Sequence, residues 1–517
     1  MLRAHRLSRW LPPLVLTLTL GGTYLTTLAP GFTWANNGGD GGDLVTAAAV
    51  GGIPHPSGYP TYLLLARLFQ FLPFGSIPFR TNLFSAVCTF LAAFVIYYLV
   101  TGLPYAPLKG NGLAGLVSAY AFGLAPMVWG QAVISEVYGL HALFLALTLY
   151  LLPLGVDPPA ARRLDWLRGL VFGLGLGNHV TLVFLLPALL MVGVIQKDTV
   201  VARKVGHRAG LPSTNRPRML EWRGWSFYWK PLAARLAGMA IGLLVYLILP
   251  LRALSNPPVN WGNPVTLENF LWLVSGQMYA GYAFGVSEAQ ALARIPVWAG
   301  LFSAQFGFLG LLLGLLGLIY CRPLPLRVYL VTGWMALAYT VFSIGYHSYD
   351  AEIYLIAVFL ALSIWIGLGA AGLMDFLSRR ARWPGIVAGI LLCAYFLGFA
   401  ALNLPKVDAS QDHAAETYGR AILETAPPQA LLFTSEDETT FTLWYFQFVL
   451  HERNDLAVVD TRLISFAWYR HMLRTGYPAL SVPEHEGVTV AYEFVAANES
   501  RPVCESSRSG IPVVNCH

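Results

Sequence analysis

Residues 351–373 read AEIYLIAVFLALSIWIGLGAAGL and contain one acidic residue and no base. As a helix rising 1.5 Å per residue, this stretch can cross a bilayer core of about 30 Å. Ten further stretches have the same character. They are 10–29, 82–102, 112–131, 136–155, 166–177, 180–196, 231–251, 303–320, 327–345 and 384–403. The sequence therefore predicts an α-helical polytopic membrane protein with about eleven transmembrane helices.

The composition of the chain points the same way. Of 517 residues, 56% are hydrophobic and 12% are charged, about half the charged share of a soluble protein. An ordinary cytosolic enzyme is excluded, because water could not cover that much apolar surface. The bases form no aromatic-interleaved patch, so we expect no nucleic-acid partner. The five cysteines form no CxxC or Cys/His cluster, so we expect no metal site.

The charges divide the chain into two parts. Residues 405–517 carry 15 acids and 8 bases, whereas residues 1–404 carry 12 acids and 25 bases. We predict a transmembrane domain over 1–404 and a soluble, mildly acidic domain over 405–517. Two loops of the transmembrane domain, 30–81 and 252–302, are each about fifty residues long, and loops of that length are usually functional.

The distribution of basic residues predicts the orientation. With the N-terminus in the cytoplasm and a break at Gly177-Asn178-His179 between two short spans, 21 of the 25 bases of residues 1–404 lie at or near the inner face. Both long loops and the C-terminal domain then lie outside the cytoplasm. We expect the first span to be an uncleaved anchor, because Pro30 follows it directly.

The first long loop contains the strongest candidates for chemistry. Glycines free the backbone around Asp40, and Asp43 lies at or near a helix start, where a carboxylate is favoured. Either carboxylate could be a general base at the membrane surface, although a helix cap and a surface turn would explain both as well. His55 and Tyr59 follow in the same loop and are candidates for binding a donor or an acceptor.

More polar residues are predicted at the same membrane face. They are Glu136, His141, Asn178, His179, Arg252, His347 and Asp350. Each has a plain structural alternative, such as a helix cap, a hydrogen-bonded core histidine or a snorkelling arginine; the functional alternative for Arg252 is a clamp for phosphate. The middles of the spans carry almost no charge, which disfavours a transporter with ionisable residues at the midplane.

These motifs together resemble a family. The motifs GGDGGDL at 38–44 and HPSGYP at 55–60 are similar to the first-loop signature of a bacterial family of polytopic proteins that is related to the animal endoplasmic-reticulum O-mannosyltransferase of plexin-type domains. The likeness continues nearly to the end of the chain, in WGQAVISEVY at 129–138, GNH at 177–179, LPLRA at 249–253 and DETTFTLWY at 437–445. Gly41, Asp43 and Ser57 depart from it, where Ser, Glu and Pro are expected.

The resemblance implies a GT-C glycosyltransferase that moves a sugar from a polyprenyl phosphate, with inversion, to an extracytoplasmic hydroxyl. It implies a base in the first outer loop, which maps onto Asp40 or, less well, Asp43; Arg252 is our own candidate for the donor phosphate, chosen by position. We expect no cofactor, a hexose such as mannose as the sugar, a protein or glycan acceptor, and a place in the bacterial inner membrane.

The C-terminal domain is predicted to be α/β. Apolar strands at 430–434 and 456–460 flank a helix at 440–450, and no glycine-rich phosphate loop follows the first strand. The acids Glu436, Asp437 and Glu438 either cap that helix or contact an acceptor. Cys504 and Cys516 can pair in an oxidising compartment.

Two functions compete with glycosyl transfer. The chain could carry a lipid-linked glycan across the bilayer without chemistry, or it could be a scaffold whose acidic domain binds a partner. Asp40 separates them, because only a transferase requires its carboxylate as a base.

Overall fold

A computed structural model describes residues 10–102, 112–152, 158–201, 220–319, 326–485, 487, 489–506 and 514–516. Some of the basic residues counted for the predicted orientation lie outside this part of the chain, and so does one cysteine. They are Arg3, Arg6, Arg9, Lys109, Arg322, Cys321 and the loop 202–219.

Each of the eleven predicted spans coincides with a helical segment. The segments are 10–27, Ile77–Gly102, Gly112–Gly123 with Pro126–Ala132, Tyr138–Leu151, Pro158–Leu176, Val180–Met191, Trp229–Ala253, Glu288–Ile319, Leu326–Gly345, Ala351–Leu377 and Arg382–Val407. Within the described residues, six are long and apolar enough to cross a membrane alone, and a seventh results if the pair Gly112–Gly123 and Pro126–Ala132, bent by 72°, is one span. The protein is a multi-pass membrane protein.

Two spans begin earlier than predicted because their first turns are polar. The helix Ile77–Gly102 starts five residues before the apolar stretch at 82, and Glu288–Ile319 starts well before 303. The latter bends at Gly307, whose φ of 63° a glycine adopts readily. The long loops also contain helices of their own. These are Gly41–Val50, Pro60–Gln70, Leu267–Val274 and Gln277–Tyr282.

The predicted break at residues 177–179 is confirmed. The helix Pro158–Leu176 ends there, and His179 adopts an extended backbone. Its Nδ1 accepts a hydrogen bond from the backbone N–H of Thr181 at 3.3 Å and so caps the next segment, Val180–Met191. This cap satisfies one of the backbone N–H groups that the start of a helix leaves free.

The helices Pro158–Leu176 and Trp229–Ala253 cross at close range. A Cβ atom at Gly169 would lie 1.9 Å from the carbonyl oxygen of Arg235, so the backbones touch where only glycine fits. Beside the crossing, the buried carboxylate of Asp165 pairs with Arg168 at 2.6 Å and with Arg235 at 2.8 Å. This contact fixes the two helices whose far ends carry His179 and Arg252.

The C-terminal domain is α/β, as predicted. Strand β3 (Leu431–Thr434) pairs in parallel with β4 (Ala457–Asp460), with the helix Asp437–Phe448 between them. The sheet is completed by β5 (Val503–Ser506), parallel to β3, and β6 (Val514–Cys516), antiparallel to β5, with a disulfide between Cys504 and Cys516. The other helices of the domain are Ala414–Thr425, Ala467–Gly476 and Val490–Ala496; strands β1 (Ile195–Val201) and β2 (Leu220–Phe227) form a separate antiparallel hairpin.

The C-terminal domain packs directly on the first long loop. The ring of Phe32 stacks on Tyr445 with centroids 5.7 Å apart, and the backbone N–H of Phe32 donates to Glu416 Oε1 at 3.2 Å. Gly42 lies so close to the helix Asp437–Phe448 that a Cβ atom there would meet the backbone carbon of Phe441 at 2.8 Å. The loop and the domain therefore form one packed surface.

Candidate active site

Asp40 lies at the N-terminus of the first-loop helix Gly41–Val50. It occupies the N-cap position, yet its side chain makes no capping hydrogen bond, and 48% of the side chain is accessible. The carboxylate is thus open to a substrate. The helix can start here because Gly39 and Gly41 leave room for Glu438 and for the carbonyl of Ser135, which lie 3.1 Å and 3.2 Å from where their Cβ atoms would be.

Asp43 holds His55 from inside the protein. Its side chain is fully buried, and its Oδ2 accepts hydrogen bonds from His55 Nδ1 at 2.7 Å and from the backbone N–H of His55 at 2.8 Å. The other ring nitrogen, Nε2, lies 3.2 Å from the hydroxyl of Tyr59 and 3.6 Å from Asp40 Oδ2. We call Asp40, Asp43, His55 and Tyr59 the Asp40 cluster.

Trp261, which is not among the residues predicted from the sequence, completes this cluster. Its indole Nε1 donates to Asp43 Oδ1 at 3.3 Å, and the residue is 2% exposed. A short backbone pairing brings it there, since the N–H of Ile53 donates to Val259 O at 2.9 Å and the N–H of Trp261 donates to Ile53 O at 3.2 Å. The run NWGN at 260–263 was the only sequence signal for this contact.

The charges of the site shift the pKa values of its acid and its histidine. About half of the Asp40 side chain is accessible, but the surrounding protein still desolvates the carboxylate and raises its pKa to about 6. Protonated His55 opposes this rise, and Asp437, Asp350 and Asp43 add to it. For His55, burial lowers the pKa, but the carboxylates of Asp40 and Asp43 outweigh burial and raise it to about 9. Between these two values the site holds a carboxylate beside an imidazolium.

Glu136 and Asp350 lie near enough to act on Asp40 electrostatically. Glu136 is 4% exposed. Asp350 precedes Ala351–Leu377 and accepts a short hydrogen bond from Ser348. The sequence placed both residues at the same face as Asp40, and the structure brings them together there.

A second group of polar residues, the histidine cluster, consists of His141, Asn178 and His179. The two imidazole rings lie 4.8 Å apart, and His179 lies 6.3 Å from the ring of Tyr59, which connects this cluster to the Asp40 cluster. His141 Nε2 is 3.1 Å from the hydroxyl of Tyr339. Among the residues that the structure describes, His141 Nδ1 and Asn178 Oδ1 are buried and have no hydrogen-bond partner, which leaves two polar atoms for a ligand.

Arg252 reaches the first loop at another point. Its guanidinium donates to the carbonyl of Gly52 at 2.9 Å, and Arg67 is a neighbouring positive charge. Within the described residues, neither arginine forms an ion pair with a carboxylate. Their two positive charges lie near each other without a neutralising acid bound to either. His347 is exposed, and its backbone N–H donates to Tyr282 O at 2.8 Å. In the described part of the chain, its ring forms no hydrogen bond or ion pair with the Asp40 cluster.

The C-terminal domain contributes aromatic side chains to the site. Phe441 stacks parallel to His55 at 6.5 Å, and Trp468 lies 4.9 Å from Trp261. Asp437 lies near Asp40 and is paired with Arg462 at 2.7 Å. Of the acids considered from the sequence as acceptor contacts, Asp437 therefore acts on Asp40 electrostatically, and Glu438 lies beside Gly39.

The fold and this site define a class. Over 95% of its length the chain matches a crystal structure of ArnT from Cupriavidus metallidurans bound to undecaprenyl phosphate, with a TM-score of 0.59, 13% identity and 92% of that chain covered. It also matches the oligosaccharyltransferase of Archaeoglobus fulgidus, with a TM-score of 0.52, 12% identity, and 95% and 68% of the two chains covered. The fold is that of GT-C glycosyltransferases.

Sequence comparison names the relatives. Residues 40–202 match the family model "Protein O-mannosyl-transferase TMEM260 N-terminal domain", and 415–489 match "TMEM260-associated domain 2". The chain is 24% identical to Protein O-mannosyl-transferase TMEM260 of Mus musculus over 92% of its length, and 25% identical to the Dictyostelium discoideum protein over 84%; it spans 68% and 55% of their lengths. The chain is a membrane glycosyltransferase related to these protein O-mannosyl-transferases.

Proposed function

We propose that the protein transfers a hexose from a polyprenyl phosphate to a hydroxyl of an extracytoplasmic protein, with Asp40 as the base. The acceptor oxygen forms a bond to the anomeric carbon while the bond between that carbon and the phosphate oxygen breaks. The polyprenyl phosphate leaves with the electron pair, and Asp40 takes the proton of the hydroxyl. Attack opposite the leaving phosphate inverts the anomeric centre.

One observation supports this proposal above the others: Asp40 is the accessible carboxylate of the Asp40 cluster and has a pKa of about 6. A base is most efficient when its pKa lies near the working pH, because it is then ionised and still takes up a proton. Asp43 is enclosed, and both of its oxygens already accept hydrogen bonds. We therefore assign the role of base to Asp40, and to Asp43 the role of holding His55 in position.

The donor has two features that the chain can bind. Arg252 and Arg67 are two positive charges for its phosphate, and arginine recognises phosphate well because its donors form a planar fork. The partnerless atoms of His141 and Asn178 can bind the sugar hydroxyls. The relatives support mannose as the sugar and protein as the acceptor, since both are named protein O-mannosyl-transferases.

For the orientation we propose a cytoplasmic N-terminus, with the Asp40 cluster and the C-terminal domain outside, in a bacterial inner membrane. The excess of bases in the loops on the opposite side supports it. The disulfide between Cys504 and Cys516 supports an oxidising compartment for the C-terminal domain.

The test uses the full chain in lipid nanodiscs with a panel of polyprenyl-phosphate hexoses labelled in the sugar, and an extracytoplasmic protein extract as acceptor. We expect label from one donor to appear on protein Ser or Thr. Label that stays on the lipid with every donor, while lipid-linked sugar crosses the bilayer of proteoliposomes, would contradict the proposal and establish a carrier.

The rate of transfer should depend on pH in a particular direction. Since only ionised Asp40 can accept a proton, kcat/KM should be flat at neutral pH and fall about tenfold per pH unit below about pH 6. The phosphodiester of the donor does not titrate in this range. A pH profile between 4.5 and 8 measures the effect, and a rate that stays flat down to pH 4.5 would argue against Asp40 as the base.

A further inference from the structure

A chain of contacts leads to Asp40 through three residues to which the proposed chemistry gives no reacting role. It runs from the C-terminal domain through Trp261 to Asp43, and from Asp43 through His55 to Asp40. Each step is short: Trp261 Nε1 to Asp43 Oδ1 is 3.3 Å, Asp43 Oδ2 to His55 Nδ1 is 2.7 Å, and His55 Nε2 to Asp40 Oδ2 is 3.6 Å.

We propose that His55 is a positioning residue for Asp40, and that Asp43 and Trp261 hold it in place. This proposal rests on the proposed function, because it assigns His55 a task only if Asp40 is the base. His55 itself need not touch the substrate, since its accessible surface is small and its two nitrogens face Asp43 on one side and Tyr59 and Asp40 on the other.

The hydrogen bonds fix which atoms of His55 carry protons. Both oxygens of Asp43 already accept hydrogen bonds from other N–H groups, so Nδ1 of His55 is the donor to Oδ2. The hydroxyl of Tyr59 donates to Pro56 O at 3.2 Å and is left to accept from Nε2 at 3.2 Å. Both ring nitrogens then carry a hydrogen, and His55 is a cation whose Nε2 edge faces the carboxylate of Asp40.

Aromatic rings prevent His55 from turning away. Tyr59 packs edge-on against the imidazole at 5.1 Å, Trp261 does so at 6.2 Å, and Phe441 stacks on it at 6.5 Å with an interplanar angle of 10°. Trp261 is held in turn by Trp468 at 4.9 Å. Two of these rings, Phe441 and Trp468, belong to the C-terminal domain, so that domain takes part in orienting the base.

Other charged groups also face the pair and have to be considered. His55 faces Asp40, Asp43 and Asp437, and it acts on His179; Asp40 faces His55, Asp437, Asp350, Asp43 and Glu136. Tyr59, Tyr279 and Tyr349 also lie near Asp40. Among the described residues named here, the four carboxylates oppose the ionisation of Asp40 and His55 alone favours it. His55 is therefore the group whose removal should change the protonation of Asp40 most, in the upward direction.

The first measurement is the pH profile of hexose transfer by wild type and His55→Gln. Glutamine can still donate to Asp43 but carries no charge. An opposite charge within about 4–6 Å lowers a carboxyl pKa by about one to three. Without that charge, the pH below which kcat/KM falls should rise from about 6 to about 7 or higher. At pH 6 we expect at least about a fivefold loss, and at pH 8.5 a loss of about fourfold or less.

Trp261→Phe is the second variant. It keeps a ring against Trp468 and removes only the N–H donated to Asp43. The pH below which kcat/KM falls should therefore also rise, but by less than in His55→Gln. His413→Gln, an exposed histidine of the C-terminal domain, is the matched control and should leave the profile unchanged. Loss of activity by the same factor at every pH in both site variants would overturn the proposal and leave His55 a structural residue.

Thermal unfolding measured against pH keeps this test separate from the proposed function. Because the pKa of His55 rises from 6.5 to about 9 on folding, its stabilising contribution is fully present below pH 6.5 and is lost as the pH passes 9. Between pH 7.5 and 10 the Tm of wild type should fall more than that of His55→Gln. Parallel curves would refute the ion pair; a wild type that transfers no donor sugar refutes only the proposed function.

Discussion

Asp40→Asn should abolish hexose transfer while the protein keeps its fold. The amide has nearly the shape of the carboxylate but cannot accept the proton of the acceptor hydroxyl, and a general base contributes about 10²–10⁴-fold to the rate. The folded state loses little, because Asp40 makes no helix-capping hydrogen bond and half of its side chain is accessible. The measurement is kcat/KM for the labelled donor in nanodiscs, together with the Tm and donor binding.

Asp408→Asn is the matched control for that substitution. Asp408 is exposed after the last transmembrane helix, and its Oδ1, which accepts from the N–H of Ser410 at 2.9 Å, is retained in asparagine. It should transfer at the rate of wild type. Transfer by Asp40→Asn within about threefold of wild type, far less than a base contributes, would show that another group accepts the proton.

Gly42→Ala should have a large effect on both stability and transfer, although Gly42 is not one of the reacting groups. The new Cβ would lie 2.5 Å from Phe32 Cζ and 2.8 Å from the backbone carbon of Phe441, so the first-loop helix and the helix Asp437–Phe448 must separate. Overpacking of this kind costs about 1–3 kcal/mol. Because the same helix carries Asp40, a displacement of about 1 Å should also lower transfer about 10²-fold.

Tm and limited proteolysis of the first loop report the separation of the two helices, and the transfer assay reports its consequence. Gly333→Ala is the control, since it also adds a methyl group to a helical glycine but meets nothing within 4 Å. Unchanged proteolysis and transfer in Gly42→Ala would mean that the two helices tolerate a wider spacing than the structure shows.

The sequence was sufficient to predict the features that arise from local patterns. The apolar stretches placed all eleven helical segments, and the strand-helix-strand pattern at 430–460 predicted the parallel pair β3 and β4. The break at 177–179 was predicted as well, because the count of basic residues on each side of the membrane required it. These predictions use apolar runs of about 20 residues or short strand patterns. Such local patterns can be read without knowing which distant residues come into contact.

The contacts of the site could not be predicted because they join distant parts of the chain. In the sequence Asp43 looked like Asp40. Its hydrogen bonds to His55 and to Trp261, which is 218 residues away, accompany the burial of Asp43, whereas Asp40 is open. Phe441 appeared only as part of a motif in the C-terminal domain, and its place on His55 depends on how that domain docks. No pattern in the sequence indicated that Arg67 lies near Arg252.

The docking of the C-terminal domain on the first loop also sets a time at which the enzyme can become active. Phe32 and Glu416, which bond to each other, are 384 residues apart, and ribosomes add about 5–20 residues per second. On the order of tens of seconds therefore pass between synthesis of Asp40 and synthesis of the C-terminal domain that packs beside it. If Asp40 is the base, we expect a nascent chain already inserted in the membrane to be inactive until translation has reached that domain.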